Sequence, residues 1–179
     1  MRLPMLDRTG RRPLILGKGG FGRQLADWLR DDGWDEPLFL DDNAPGCAGK
    51  LRDYADPALL KPGRAAFVAL GNNELRVELL QKLAAAGYKT PSFCSSMAAV
   101  SPSAVLEPGC IVLPQAYVGA SARLGAGCIV NAGAVVDHDA VLGRGVHVAP
   151  GGIVKAGAQV APCTKVDSGE VVRSPWEQG

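Results

Sequence analysis

The chain has 179 residues, 47% of them hydrophobic, with 19 basic and 18 acidic side chains and a formal charge of +1. That is enough for one large domain or two small ones, and so even a charge balance argues against nucleic acid or a membrane surface as the main partner. No apolar run approaches 18 residues and the opening MRLPMLDRTGRR lacks an apolar stretch, so neither a transmembrane span nor a signal peptide is expected. Five cysteines, an odd number without a CxxC pair or ligand spacing, fit a reducing cytoplasm and suggest no metal site.

From residue 11 to about 95, short apolar runs alternate with amphipathic stretches. RRPLILG predicts a first strand. Residues 21 to 32 follow as a helix, with Phe21, Leu25, Trp28 and Leu29 on one face. EPLFLDD and RAAFVALG predict two more strands. Residues 74 to 86 predict a second helix with Leu75, Leu79 and Leu83 four apart, and GYKTPSF a fourth strand. This alternation points to a small, Rossmann-like parallel α/β domain. GKGGFG satisfies G-x-G-x-x-G between a strand and a helix, and Asp41 stands nineteen residues past Gly22, where a ribose-binding acid belongs. Alone, that pattern suggests a dinucleotide. The domain is only half-size, however, which suits a single nucleotide better. The Asp41–Asp42 pair could equally be a strand-end turn, and GNNELR a helix cap.

At residue 98 the grammar changes. Val100, Leu106, Val112, Val118, Leu124, Val130, Val136, Leu142, Val148, Val154, Val160, Val166 and Val172 recur every six residues without a slip. Small side chains such as Cys110, Ala116, Cys128 and Ala134 stand two residues earlier. Glycine recurs three residues later, as at Gly109, Gly127, Gly133 and Gly145. This is the hexapeptide pattern of a parallel β-helix over residues 98–173, three hexads to a coil, with the aliphatic side chain pointing inward. Cys110 and Cys128, eighteen apart, should stack in adjacent coils as small core residues rather than form a disulfide. A purely structural solenoid is the alternative.

Read together, LILGKGGFGRQLADWL, FLDDN, VALGNNELR and VNAGAVVDHDAVLGRGVHVAPGG resemble the nucleotide-sugar acetyltransferases with a left-handed β-helix. The similarity is to the sialic-acid O-acetyltransferase-like proteins and the bacillosamine-pathway N-acetyltransferases. It implies a homotrimer in which acetyl-CoA lies along the β-helix and the N-terminal domain holds a nucleotide-linked sugar. It places His138 on the general base, Asp139 on its acidic partner and His147 on a second histidine near the acetyl carbonyl. Asn131 and Asp137 fall beside them on the substrate side. Gly17, Lys18, Gly19, Gly20, Asp41, Asp42, Gly71 and Asn72 fall on the nucleotide-binding loops, and Ala156 and Gly157, with His147, on the CoA site. Three departures stand out. Phe21 replaces a frequent histidine, SSMAAV replaces the usual Ile-His-Pro-Ser at the start of the β-helix, and a further C-terminal coil with a Gly-Asn-Pro-Ala loop is missing.

The residues suit that chemistry. An imidazole can take the proton from an attacking amine or hydroxyl near neutral pH. His138 follows the inward Val136 by two residues, so it should face outward near a corner, with Asp137 and Asp139 both able to orient it. His147 is half a coil away and cannot share that face in one chain. A threefold assembly could bring His138 of one chain toward His147 of the next. Val135, Val141, Val146 and Ile153 are expected to point outward and support such an assembly. The expected reaction is acetyl transfer to a nucleotide-linked amino sugar in bacterial surface-glycan synthesis, N-acetylation preferred and O-acetylation possible. Alternatives are a serine-acetyltransferase-like enzyme on a small free substrate, an inactive scaffold subunit, or surface histidines without a catalytic role.

Overall fold

The computed structural model describes residues 12–59, 61 and 63–177; Arg11, the predicted start of the first strand and domain, and the opening segment lie outside them. The chain divides into two compact units with the boundary between Pro91 and Ser92.

In the first unit, β1 (Leu14–Leu16) is the centre of a three-stranded parallel sheet between β2 (Leu38–Leu40) and β3 (Ala66–Val68). All three residues of β1 are fully buried. That explains its unbroken apolar run, since a strand covered on both faces has no polar side to alternate with. Helix α1 (Gly20–Asp31) follows β1 and buries Gly22, Leu25, Ala26 and Leu29. Helix α2 (Asn73–Ala85) follows β3 and buries Val77, Leu79, Leu80 and Leu83. Leu79, Leu80 and Leu83 pack with Leu14, Leu16, Leu40, Val68 and Tyr88 in one core.

GYKTPSF does not add a fourth strand to this sheet. Lys89 makes one isolated parallel bridge to Ala65, and Pro91 then interrupts the run. Proline lacks the N–H that a continuing ladder needs. Phe93–Cys94 instead forms the first rung of the second unit, pairing with Ile111–Val112. The solenoid therefore starts earlier than residue 98. Cys94 occupies the hexad position six residues before Val100 and packs against the aliphatic core.

The second unit is a parallel β-solenoid of two-residue rungs on three faces. The first face stacks Phe93–Cys94, Ile111–Val112, Ile129–Val130, His147–Val148 and Lys165–Val166. The second stacks Ala99–Val100, Tyr117–Val118, Val135–Val136, Ile153–Val154 and Val171–Val172. The third stacks Val105–Leu106, Arg123–Leu124, Val141–Leu142 and Gln159–Val160. The second residue of each rung points inward. The residue two positions before it joins the same core: Cys110, Ala116, Ala122, Cys128, Ala134, Ala140, Val146 and Ala158 are buried there. Val146 is therefore an inside residue and not the outward one expected. It holds the small-residue position two before Val148, so the hexad register itself places it inside. No disulfide forms among the described residues, and the Cys110 thiol instead meets Gly125 O at 3.3 Å.

Every sixth residue from Gly109 to Gly169 has a positive φ. Seven of these corners are glycine, but Gln115, Ser121, Asp139 and Cys163 adopt the same left-handed conformation with φ of 58–62°. A side chain in that region costs roughly 1–2 kcal/mol where no local hydrogen bond offsets it. Asp139 is thus held in a conformation that the solenoid elsewhere fills mostly with glycine.

Candidate active site

The first corner of interest follows the rung Val135–Val136. Asp137, His138 and Asp139 turn the chain from the second face to the third. The turn is tied on both sides along the stack. Asp139 N–H donates to Ala120 O at 2.9 Å, and Gly157 N–H donates to His138 O at 3.0 Å. Beneath it lies Gly119, where a Cβ would come within 2.5 Å of His138 N, so the turn requires a glycine one coil earlier. Sequence reading passed over Gly119; its signal was the eighteen-residue offset from Asp137.

The two flanking aspartates do different jobs. Asp137 accepts the backbone N–H of His138 at 2.7 Å and shapes the turn. Asp139 Oδ2 lies 2.7 Å from His138 Nδ1. A carboxylate only accepts, so Nδ1 carries the proton and Nε2 keeps its lone pair. The imidazole is exposed, and its pKa is raised above the usual 6.5, first by the hydrogen bond to Asp139 and further by the charges of Asp137 and Asp139. This is an imidazole oriented to accept a proton at Nε2.

His147 stands on the first face, on a rung between Ile129 and Lys165. Its Nε2 is 3.3 Å from Nδ2 of Asn131, a buried residue at the corner after Val130. Asn131 Oδ1 accepts the Ala132 N–H at 2.8 Å, which leaves Nδ2 as the group turned to the ring. Asn131 and His147 therefore form one pair and His138 and Asp139 another, on different parts of the solenoid surface.

One coil beyond His138, Ala156 O accepts the Ser174 hydroxyl at 2.8 Å. A Cβ on Gly157 would lie 2.4 Å from Cη2 of Trp176. The tail thus rests on the two residues assigned to CoA, and Trp176 was missed because it lies beyond the last hexad.

In the first unit the glycine motif separates into packing and open positions. Gly17 has φ +101°, and a Cβ there would meet Ala69 O at 2.7 Å; one on Gly22 would meet Gly17 O at 1.9 Å. Gly19 and Gly20, at the start of α1, have open space around them. Crowding explains the first two glycines and not the second two, which leave a helix N-terminus approachable by an anion. Lys18 N–H donates to Asp41 Oδ2 at 2.7 Å, and its Nζ donates to Pro45 O and Gly46 O at 2.8 and 3.1 Å. Asp41 also accepts from Asn43 and Ala44 N–H at 2.8 Å. These backbone donors, Lys18 first, hold its carboxyl below the ordinary range. Asp42 accepts the Leu51 N–H at 3.0 Å. Both aspartates hold the loop after β2 together.

Asn72 caps α2, its Oδ1 accepting Leu75 N–H at 2.9 Å, and Gly71 beside it is open. Arg76, fully buried, donates to Leu70 O and Asn73 Oδ1 at 2.8 Å each and so fixes the Gly71–Asn72 turn from behind. Sequence reading missed it as one more charge on an amphipathic helix. Among the described residues no cluster of His, Cys, Asp and Glu could hold a metal ion, and no helix is long and apolar enough to cross a membrane.

An imidazole poised to take a proton on a hexapeptide solenoid, preceded by a small α/β unit with an open helix start, is the build of a two-part acyltransferase. Comparison with known proteins points the same way. Residues 13–83 match the family model of the PglD N-terminal domain. The acetyltransferase domain of PglB from Neisseria gonorrhoeae FA1090, solved in complex with acetyl coenzyme A, is 34% identical with a TM-score of 0.74 over 89% of this chain and 87% of that one. A mutant of perosamine N-acetyltransferase from Caulobacter crescentus, in complex with CoA and GDP-perosamine, is 27% identical with a TM-score of 0.81 over 86% and 76%. The chain belongs to the acetyltransferase family that these proteins represent, and it is an acyltransferase.

Proposed function

We propose that the protein transfers the acetyl group of acetyl-CoA to the amine of a nucleotide-linked amino sugar, with His138 as general base, in the assembly of a bacterial surface glycan. The observation that carries this reading is the 2.7 Å contact between His138 Nδ1 and Asp139 Oδ2, which leaves Nε2 as an exposed proton acceptor. The amine attacks the thioester carbonyl and loses a proton to Nε2. The tetrahedral oxyanion collapses and expels the CoA thiolate, which takes a proton in turn. Asp139 stabilises the imidazolium formed in between. Backbone N–H groups or His147 stabilise the oxyanion.

The open positions Gly19, Gly20 and Gly71 suit the approach of a phosphate and nucleotide to the first unit, with Lys18, Asp41, Asp42 and Asn72 shaping the surrounding loops. A relative solved with GDP-perosamine supports a nucleotide amino sugar as the acceptor and nitrogen over oxygen as the nucleophile. The assembly is proposed as a homotrimer. The outward side of the second face carries Tyr117, Val135, Ile153 and Val171, with Tyr117 and Val171 each 43% exposed. Such an apolar ladder suits burial against a second copy. In a trimer of this kind, His138 of one protomer faces Asn131 and His147 of its partner.

Thiol release from acetyl-CoA, followed across a panel of nucleotide-linked amino sugars, tests the reading. We expect turnover with at least one amino sugar nucleotide, none with its deaminated counterpart and none with free serine. Turnover with serine alone, or none with any acceptor, would overturn it.

A further inference from the structure

Most left-handed corners of the solenoid are glycine, and four among the described residues are not. Cys163 follows the third face, and Asp139 holds His138. Gln115, with φ of 62°, and Ser121, with φ of 60°, have no such reason in the fold. Both are exposed. Their main chains are used: Gln115 N–H donates to Met97 O at 3.0 Å, and Ser121 N–H donates to Ser103 Oγ at 3.1 Å. Among the described residues, neither the Gln115 amide nor the Ser121 hydroxyl makes a hydrogen bond. Glycine would fill either corner at lower cost. A side chain kept in so unfavourable a conformation points to a use outside the fold.

Both stand in the coil just before the candidate site, one on each of its two corners. Ser121 is eighteen residues before Asp139, and the Asp139 N–H donates to Ala120 O at 2.9 Å, which ties the two turns together. Gln115 is eighteen residues before Gly133, on the corner that carries Asn131, and Gly133 N–H donates to Pro114 O at 3.2 Å. One coil after the site, the same two positions are Gly151 and Gly157. Polar side chains therefore flank the site coil at these corners on one side only. In the proposed trimer, His138 of one protomer faces Asn131 of its partner. A threefold axis along the solenoids keeps equal coils level. Ser121 of one protomer then lies across from the partner's Gln115, one coil before the base.

We propose that Ser121 and the partner's Gln115 form a polar subsite that hydrogen-bonds the hydroxyl groups of the acceptor sugar beside its amine. This rests on the acetyltransferase reading and the trimer above. Both side chains are uncharged, and each can donate as well as accept. That suits hydroxyl groups and gives a phosphate no charge to pair with. The reacting end of acetyl-CoA is a methyl, a carbonyl and a short hydrocarbon link to the sulfur, with no hydroxyl. Only the sugar brings several hydroxyls close to the attacking atom, so the chemistry of the two side chains selects the acceptor over the donor.

The test compares steady-state kinetics, and CoA binding by calorimetry, in wild type, Ser121→Gly, Gln115→Gly and Gln115→Asn. Glycine is the residue most of these corners carry, so both glycine variants should assemble and melt close to the wild type. We expect each to raise the KM for the amino sugar nucleotide about three- to ten-fold, the size of one lost hydrogen bond, with kcat within about two-fold. CoA affinity should be unchanged. Gln115→Asn keeps the amide and tolerates the left-handed corner, so it should lose less than Gln115→Gly. A purely structural role would move the melting temperature and the affinity for both substrates together, and that result would overturn the inference. Unchanged acceptor KM in both glycine variants of an active enzyme would overturn it as well. Weaker CoA binding with unchanged acceptor KM would assign the side chains to the donor and overturn it too. Wild type without turnover on any amino sugar nucleotide would overturn the acetyltransferase reading, and a monomeric wild type the trimer; either takes the subsite with it.

Discussion

His138 Nδ1 donates to Asp139 Oδ2 at 2.7 Å from the adjacent corner position, so the proposed base and its proposed orienting acid come from consecutive residues of one turn. The hydrogen bond raises the His138 pKa above 6.5. A base works in its neutral form, so kcat should rise with pH through that raised value, placing the acid limb of the profile above 6.5. In Asp139→Asn the limb should move to lower pH while the plateau falls. Stability has the opposite sense. A raised folded pKa stabilises below the unfolded pKa, and the benefit fades as pH climbs through the folded one. The wild type's melting advantage over Asp139→Asn should therefore shrink from acid toward alkaline pH. A kcat limb that stays in place in Asp139→Asn would contradict the assignment.

Asp139 occupies a left-handed corner, with φ of 59°, where most equivalent positions are glycine. Asp139→Gly should leave the fold unchanged to about 1 kcal/mol more stable, because it relieves the side-chain penalty at positive φ. It should also lose turnover, because the imidazole loses its partner. Thermal melting and kcat measured on one preparation check both halves. A destabilised variant with full activity would mean that the aspartate serves the fold instead.

The glycines of the first loop should separate in the same way. Gly22→Ala forces a Cβ to within 1.9 Å of Gly17 O and should unfold or strongly destabilise the first unit. Gly20→Val meets open space, so it should fold yet obstruct phosphate approach at the helix start. The expected result is a raised KM for the sugar nucleotide with that for acetyl-CoA nearly unchanged. Equal loss for both substrates would make the loop structural.

The outward ladder of the second face predicts an assembly sensitive to charge. Ile153→Arg should convert a trimer into a chain of 18.6 kDa by light scattering, with the β signature of the solenoid retained and activity lost. A wild-type protein that is already monomeric at micromolar concentration would remove the proposed trimer and, with it, the proposed intersubunit site.

The solenoid was legible because its period is enforced everywhere. Each inward Val or Leu must meet the one eighteen residues away, and a slip would expose the core. Its start was obscured because Cys94 fills an aliphatic position without being aliphatic. GYKTPSF had the composition of a strand, and only Pro91 signalled that its ladder would stop. Register errors were possible at single residues: Val146 looked like surface until its place two before Val148 put it inside. The His138–Asp139 pair was readable from adjacency. Spacing could not tell Asp137 from Asp139, since that choice depends on which carboxylate the turn points at the ring. Lys18, Asp41 and Asp42 fitted a binding pattern, and hydrogen bonds that no spacing encodes tie all three to the loop itself.

The central claim is that His138 takes the proton from the acceptor amine, and the most direct measurement is the turnover of His138→Ala with saturating acetyl-CoA and acceptor. The side chain points away from the aliphatic core, so its loss opens no cavity, and melting temperature and CoA affinity should match the wild type. We expect kcat to fall by about 10² to 10⁴. Near-wild-type turnover in His138→Ala would contradict the mechanism.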